Sequence, residues 1–232
     1  SSLKLADIAA NFKDPSRLVG IHFFNPVPQM QLVEIVSAAN ADAQAAQRAA
    51  AFVRQIDKLP LPVKDSPGFL VNRVLGPYMQ QAFRMLDEGV KPETIDRAME
   101  DFGMPMGPVE LADTVGLDIC LAAGKALAKK GAGGEEPEAP QILLNKVALG
   151  HLGRKSGQGI YRYDKGKAVK GQPDAYRQDL VDALVEPYLA EAKAVVAEGV
   201  VADADLADAG LIFGTGFAPF RGGPLNYAAG NK

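Results

Sequence analysis

Cysteine is almost missing from this 232-residue chain: Cys120 is its only one. No disulfide can therefore close within it, and its cysteine usage gives no argument for a secreted scaffold. Cys120 is expected to fill core space. Tryptophan is absent and histidine occurs twice; no metal site is expected. Charge of one sign is not in excess either. A formal net charge of -3 makes no electrostatic case for nucleic acid or an anionic membrane. No apolar run approaches the roughly 18 residues of a membrane span, and no basic-then-apolar signal opens the chain. The first residue is serine, not methionine, so a processed product or an expressed piece of something longer is expected. What remains, 47% hydrophobic and 23% charged residues, is ordinary globular composition. The length suits one large domain or two to three small ones.

The first 65 residues have α/β texture. Ser2 can cap a short helix over 3–11, ended by Pro15. Leu18 to Phe24 and Leu32 to Val36 read as strands. "ADAQAAQRAAAFVRQI" (41–56) has the period of an amphipathic helix, and the prolines of "LPLPVKD" (59–65) suit an edge strand. Two or three strands cannot complete a doubly wound sheet. From Ser66 the texture turns helical. A long helix runs through "SPGFLVNRVLGPYMQQAFRMLDEG", with a kink at Pro77 and a stop at Gly89, and Pro92 opens the next. "GPVELADTVGLDICLAAGKALAKK" continues helical, "GAGGEEPEAP" (131–140) is a loop, and a helix follows over 141–149. "GRKSGQGIYRYDKGKAVKG" reads as a turn and a short extended piece leading into a linker.

"GPYMQQAFRMLDEGV" (76–90) and "EPYLAEAKAVVAEGV" (186–200) align without a gap at a spacing of 110. Phe102-Gly103 meets Phe213-Gly214 after one residue of slip. So long a period points to a duplicated domain whose copies pack on each other, like a dimer fused into one chain. Two unrelated amphipathic helices with a common stop signal are the alternative.

His22 and Glu34 each lie six residues from Pro28. If their strands fold back around "NPVPQMQ", the two side chains stand opposite. A carboxylate accepting one imidazole N–H selects the tautomer and stabilises the imidazolium, leaving the other nitrogen to take a proton. Spacing alone leaves two readings open, a catalytic pair and a structural bond between strands.

"HFFNPVPQMQLVE", "VKDSPGFLVNRVL" and "FGMPMGPVELADTVGLD" closely resemble the (3S)-3-hydroxyacyl-CoA dehydrogenases of fatty-acid β-oxidation, and "GRKSGQGIYRY" resembles the closing turn of that family's helical domain. "GLIFGTGFAPFRGGPLNY" is similar to the last domain of the multifunctional fatty-acid oxidation enzymes. The resemblance implies an α/β remnant, the last strands of a Rossmann-type NAD domain (1–65), then two duplicated helical domains (66–164 and 172–232). It implies roles residue by residue. His22 matches the catalytic base, Glu34 its orienting carboxylate, and Asn72 the amide that bonds the reacting oxygen. Ser1 matches a serine touching substrate and nicotinamide, Asn25 a residue beside the nicotinamide, Lys155 a lysine near the cofactor, and Tyr227 a substrate contact from the last repeat. His151 matches nothing and is expected at a surface or helix end. Oxidation of a secondary alcohol then has its parts: a proton for His22, oxygen donors in Ser1 and Asn72, and NAD⁺ for the hydride. Implied partners are acyl-CoA, an upstream NAD-binding half and a thiolase subunit, in a bacterial cytoplasm or an organelle matrix.

The chain departs from that family in one respect. No Gly-x-Gly-x-x-Gly follows a strand; "GTGFAPF" and "KSGQGIY" both lack the third glycine. The sequence is therefore expected to be the C-terminal piece of a dehydrogenase, inactive by itself. The competing expectation is a non-catalytic helical module for acyl-CoA binding or assembly.

Overall fold

The computed structural model describes residues 5–128 and 138–230; Ser1 and most of the 131–140 loop lie outside them. Three aliphatic stretches form a mixed sheet in the order β1 (Val19–Phe23), β2 (Leu32–Ser37), β3 (Leu59–Lys64). β1 runs antiparallel and β2 parallel to its neighbour. The crossover from β2 to β3 contains α2 (Ala43–Gln55), where Asp42 caps the Gln44 amide. Ala50 and Val53 of α2 pack on Val33 and Ile35 of β2. β2 is buried along five of its six residues, Glu34 among them. β3 ladders on β2 and carries Pro60 and Pro62, whose missing N–H groups are tolerated in a strand paired along one side. The short α1 (Leu5–Ala9) is tied down by its Leu5 amide, which donates to the Asp65 carboxylate at 3.1 Å.

The remaining elements are α3 (Val71–Asp87), α4 (Pro92–Phe102), α5 (Pro108–Val115), α6 (Leu117–Ala128), α7 (Gln141–Ala148), the hairpin β4 (Arg162–Asp164) and β5 (Lys167–Val169), α8 (Gln178–Ala197), α9 (Ala204–Thr215) and α10 (Pro224–Ala228). Two differ from the sequence reading. α3 begins at Val71, because Gly68 and Phe69 both take left-handed conformations (φ 78° and 53°) and turn the chain first. The helix expected to run on from Pro108 breaks at Gly116 (φ 111°), and the Leu117 amide bonds the Leu152 carbonyl instead. Cys120 is half-buried beside Ala112 and Leu117.

Contacts divide the chain into two compact units, Ser1–Val74 with Leu189–Lys232, and Leu75–Tyr188. The sheet, α9 and α10 belong to the first; α4 to α7 and the hairpin belong to the second.

Within their own units, the matching segments take similar local forms. After α3 and α8 the amides of Val90 and Val200 bond back to the Met85 and Val195 carbonyls. Buried Asp96 on α4 accepts from the Val109 and Glu110 amides (2.7 and 3.1 Å) at the start of α5. Asp208 on α9, also buried, accepts from the Leu225 and Asn226 amides (2.7 and 3.0 Å) at the start of α10. Both recipient helices open with Gly-Pro, and a Cβ on Gly107 or Gly223 would overlap the aspartate. The match of Phe102-Gly103 with Phe213-Gly214 does not carry into structure. Gly103 ends α4, whereas Gly214 lies inside α9, which ends at Gly216.

Candidate active site

The antiparallel register sets His22 directly opposite Glu34, as their spacing about Pro28 predicts. His22 Nδ1 stands 2.7 Å from Glu34 Oε2. Glu34 is fully buried, so its charge needs donors. An ionised carboxylate only accepts, which puts the shared proton on Nδ1 and leaves Nε2 as a free base. The second carboxylate oxygen, Oε1, accepts from the Leu70 and Val71 amides at 3.0 and 3.1 Å. These are unpaired donors at the start of α3, where the helix dipole also favours negative charge. Sequence reasoning missed this half of the clamp. The signal was there: one histidine cannot satisfy a buried carboxylate, and a helix start follows in "SPGFLVN".

Two aromatic edges hold the imidazole. Phe24 and Phe69 stand with ring centroids 4.7 and 5.3 Å from that of His22, both steeply inclined to it. Phe69 is the residue at φ 53°, a conformation costing a bulky side chain about 1 kcal/mol. That one strained turn aims the next two amides at Glu34 and lays its own ring on His22. The His22 side chain keeps 21% exposure against none for Glu34. One end of the pair is sealed and the other is open to a reactant.

Of the other sequence-predicted residues, Asn72 is half-buried and directly follows Val71 in the first turn of α3. Asn25 is exposed just beyond β1, before a cis peptide to Pro26. Its loop is held by Lys58, whose Nζ donates to the Val27 and Met30 carbonyls at 2.6 and 2.8 Å. Ser1 lies outside the described residues. Tyr227 sits on α10, its ring 5.0 Å from the Arg221 guanidinium carbon and 6.3 Å from the Phe217 ring. Lys155 belongs to the other unit and pairs with Asp118 at 2.5 Å. His151 is half-buried just past the end of α7. The structure thus gathers His22, Glu34 and Asn72 about one helix start. It also adds Arg73, which ties that start to α8 through Glu191 and Glu198 (2.5 and 2.7 Å). Among the described residues no group of three or more His, Cys, Asp or Glu is placed to hold a metal ion. No described helix is long and apolar enough to cross a membrane.

Comparison with known proteins gives this arrangement a class. Residues 1–66 match the 3-hydroxyacyl-CoA dehydrogenase NAD binding domain, and residues 68–163 match the 3-hydroxyacyl-CoA dehydrogenase C-terminal domain. Sequence and architecture therefore define a Rossmann-type NAD-binding domain followed by a helical C-terminal domain. Among solved structures, the chain is similar to a 3-hydroxybutyryl-CoA dehydrogenase from Escherichia coli (TM-score 0.85, 25% identity, 99% of this chain and 67% of that one). It is similar to an (S)-3-hydroxybutyryl-CoA dehydrogenase from Ralstonia eutropha (TM-score 0.66, 41% identity, 71% of this chain and 59% of that one). The dehydrogenase part of multifunctional enzyme 1 from C. elegans is a further match (TM-score 0.61, 30% identity, 93% of this chain and 52% of that one). The chain belongs to the 3-hydroxyacyl-CoA dehydrogenase family, whose first domain binds NAD. It spans between about half and two thirds of the length of these relatives.

Proposed function

We propose that this chain carries the catalytic and substrate-side part of an NAD-dependent (3S)-3-hydroxyacyl-CoA dehydrogenase, which oxidises 3-hydroxyacyl-CoA to 3-ketoacyl-CoA in fatty-acid β-oxidation. The observation behind this reading is the His22–Glu34 pair at 2.7 Å, with the far carboxylate oxygen on two helix amides. His22 Nε2 takes the substrate hydroxyl proton as its oxygen becomes a carbonyl. Glu34, already ionised and held, stabilises the imidazolium without reorganising. Asn72 and Ser1 donate to the oxygen, and Tyr227 touches the acyl-CoA. NAD⁺ supplies the hydride acceptor when bound. The nicotinamide end fits these residues, with a partly exposed imidazole and a solvent-facing Asn25 beyond the end of the same strand; the family resemblance adds Ser1 and Lys155 as cofactor contacts. The pyrophosphate end does not, since no Gly-x-Gly-x-x-Gly occurs in the 232 residues.

We assign residues 1–65 to the last strands of the NAD domain, 66–164 to a first helical domain and 172–232 to its duplicate. The duplication is supported by the paired aspartate locks, Asp96 on the Gly107-Pro108 helix and Asp208 on the Gly223-Pro224 helix. We assign the parent to the multifunctional kind, in a bacterial cytoplasm or an organelle matrix, working on acyl-CoA with an NAD-binding half and a thiolase subunit as partners. The missing fingerprint favours a second reading for the isolated polypeptide, a non-catalytic acyl-CoA-binding module. NADH oxidation with acetoacetyl-CoA separates the two. We expect no turnover by the 232-residue chain and robust turnover once an NAD-binding half is supplied. Silence in both would refute the dehydrogenase reading, and ready turnover by the chain alone would refute the division of labour.

A further inference from the structure

We propose that Gly210 and Gly214 of α9 set the position of the Glu34 clamp, so that α9 positions the base without touching it. Four apart on a helix, the two glycines share one face. A Cβ on Gly210 would come within 2.6 Å of Leu61 Cδ2 and 2.7 Å of Leu70 Cδ2. One on Gly214 would come within 2.5 Å of Val71 Cγ2 and 2.9 Å of Leu32 Cδ2. All four residues flank Glu34 in the fold. Leu61 is the register partner of Glu34 on β3. Leu32 lies two residues before it, on the same face of β2. Leu70 and Val71 supply the two amides that Oε1 accepts from.

None of the four can easily swing away. All are buried, at 3% exposure or less, and Val71 is β-branched and held to one rotamer in a helix. A methyl group at 214 is therefore relieved by moving α9 and the first turn of α3, which carries the amides, apart. Alanine is the better helix former, so closeness and not helix stability explains glycine here. The glycines are the mirror of Phe69: the turn aims the amides, and α9 sets how close they come.

The test compares Gly214→Ala, Gly210→Ala/Gly214→Ala and a compensated Gly214→Ala/Val71→Ala, with Gly124→Ala as a control. A Cβ at Gly124, on α6, meets nothing within 4 Å. Two readouts are used. One is the NMR resonance of the His22 Nδ1 proton in this chain, which does not depend on catalysis. The other is kcat and KM in the catalytically complete enzyme, and this arm rests on the dehydrogenase reading. We expect the Nδ1 proton resonance to move and kcat to fall on the order of tenfold or more. KM for acetoacetyl-CoA stays put, and the compensated variant, which removes both Val71 methyls that the new Cβ would meet, returns both readouts toward wild type. Gly124→Ala changes neither. An unchanged resonance in a folded double variant would overturn the inference. So would a compensated variant that folds with a displaced resonance, or that fails to fold. If Gly214→Ala alone fails to fold and the compensated variant folds with the wild-type resonance, the inference stands. A wild-type enzyme without turnover, but with the expected resonance shifts, would refute the dehydrogenase reading and leave the placement of the clamp intact.

Discussion

Glu34→Gln is the sharpest perturbation of this site, because it keeps shape and removes the charge together with the ability to accept on both oxygens. In the wild type, one oxygen faces Nδ1–H of His22 and the other faces the amides of Leu70 and Val71. A glutamine has one acceptor for these two donor sets. Two N–H groups outnumber one, so its carbonyl stays on the helix start and its NH₂ faces His22. Nδ1 must then accept, the proton moves to Nε2, and the base is gone. The same tautomer change in a serine-protease triad lowers turnover about 10⁴-fold. A loss of about 10³- to 10⁴-fold in kcat is expected here, roughly 4–5.5 kcal/mol of transition-state stabilisation. KM should hardly change, since Glu34 is fully buried and cannot touch a reactant itself. Stability should fall by only about 1–2 kcal/mol, because weaker hydrogen bonds are partly offset by no longer burying a charge. Steady-state kinetics on the catalytically complete enzyme, with ¹⁵N imidazole shifts to report the tautomer, would check each part. A folded variant with kcat within tenfold of wild type, or with an unaltered tautomer, would refute the reasoning.

Two further outcomes follow from the buried groups. Asp96 titrates up at about 6, since burial outweighs the Tyr161 hydroxyl, Lys170 and the two amides that favour its charge. A carboxyl with its folded value raised above an unfolded 3.8 holds its proton more tightly when folded. Its stabilising contribution is therefore full below the unfolded value and lost as pH rises through about 6, a swing of about 3 kcal/mol. Urea melts at pH 4.5 and pH 7 should show about 2 kcal/mol of that swing in the wild type relative to Asp96→Asn, because pH 4.5 already lies above the unfolded value; parallel lines would refute it. At Phe69, the usual order of substitutions should invert. Losing the ring costs about 3 kcal/mol in either Phe69→Ala or Phe69→Gly, but glycine takes φ 53° without strain. Phe69→Gly should therefore be the more stable by about 1 kcal/mol, and denaturant midpoints favouring alanine would contradict the assigned turn.

How much of this was legible beforehand differs by residue. The strand pair was, because a period of two and the symmetric spacing of His22 and Glu34 about a proline loop are local facts. The helix stops at Gly89 and Gly199 were legible for the same reason. The start of α3 was not. Nothing local in "SPGFLVN" marks Phe69 as the turn, and only the demand of a carboxylate 35 residues earlier accounts for its left-handed conformation before the helix begins. Nor was α9, whose glycines read as weak helix residues until the side chains of Leu61, Leu70 and Val71 arrive from elsewhere in the chain to fill the space. Local propensity predicts what a segment prefers, and a buried charge overrules it from a distance.

That override explains why the clamp on Glu34 is part of the fold itself. An ionised carboxylate inside β2 with no donors would cost several kcal/mol, enough to threaten the fold of a marginally stable domain. The chain must therefore dock the start of α3 against β2 in order to fold at all, and the docked arrangement leaves one oxygen lone pair facing β1. A histidine opposite in register is then held in a single tautomer by the same contacts that keep the charge solvated. Fold and base share one set of hydrogen bonds. It follows that substitutions that loosen Glu34 should lose activity before they lose structure, because the imidazole reads displacements of a few tenths of an ångström while the fold reads only whether the donors are present.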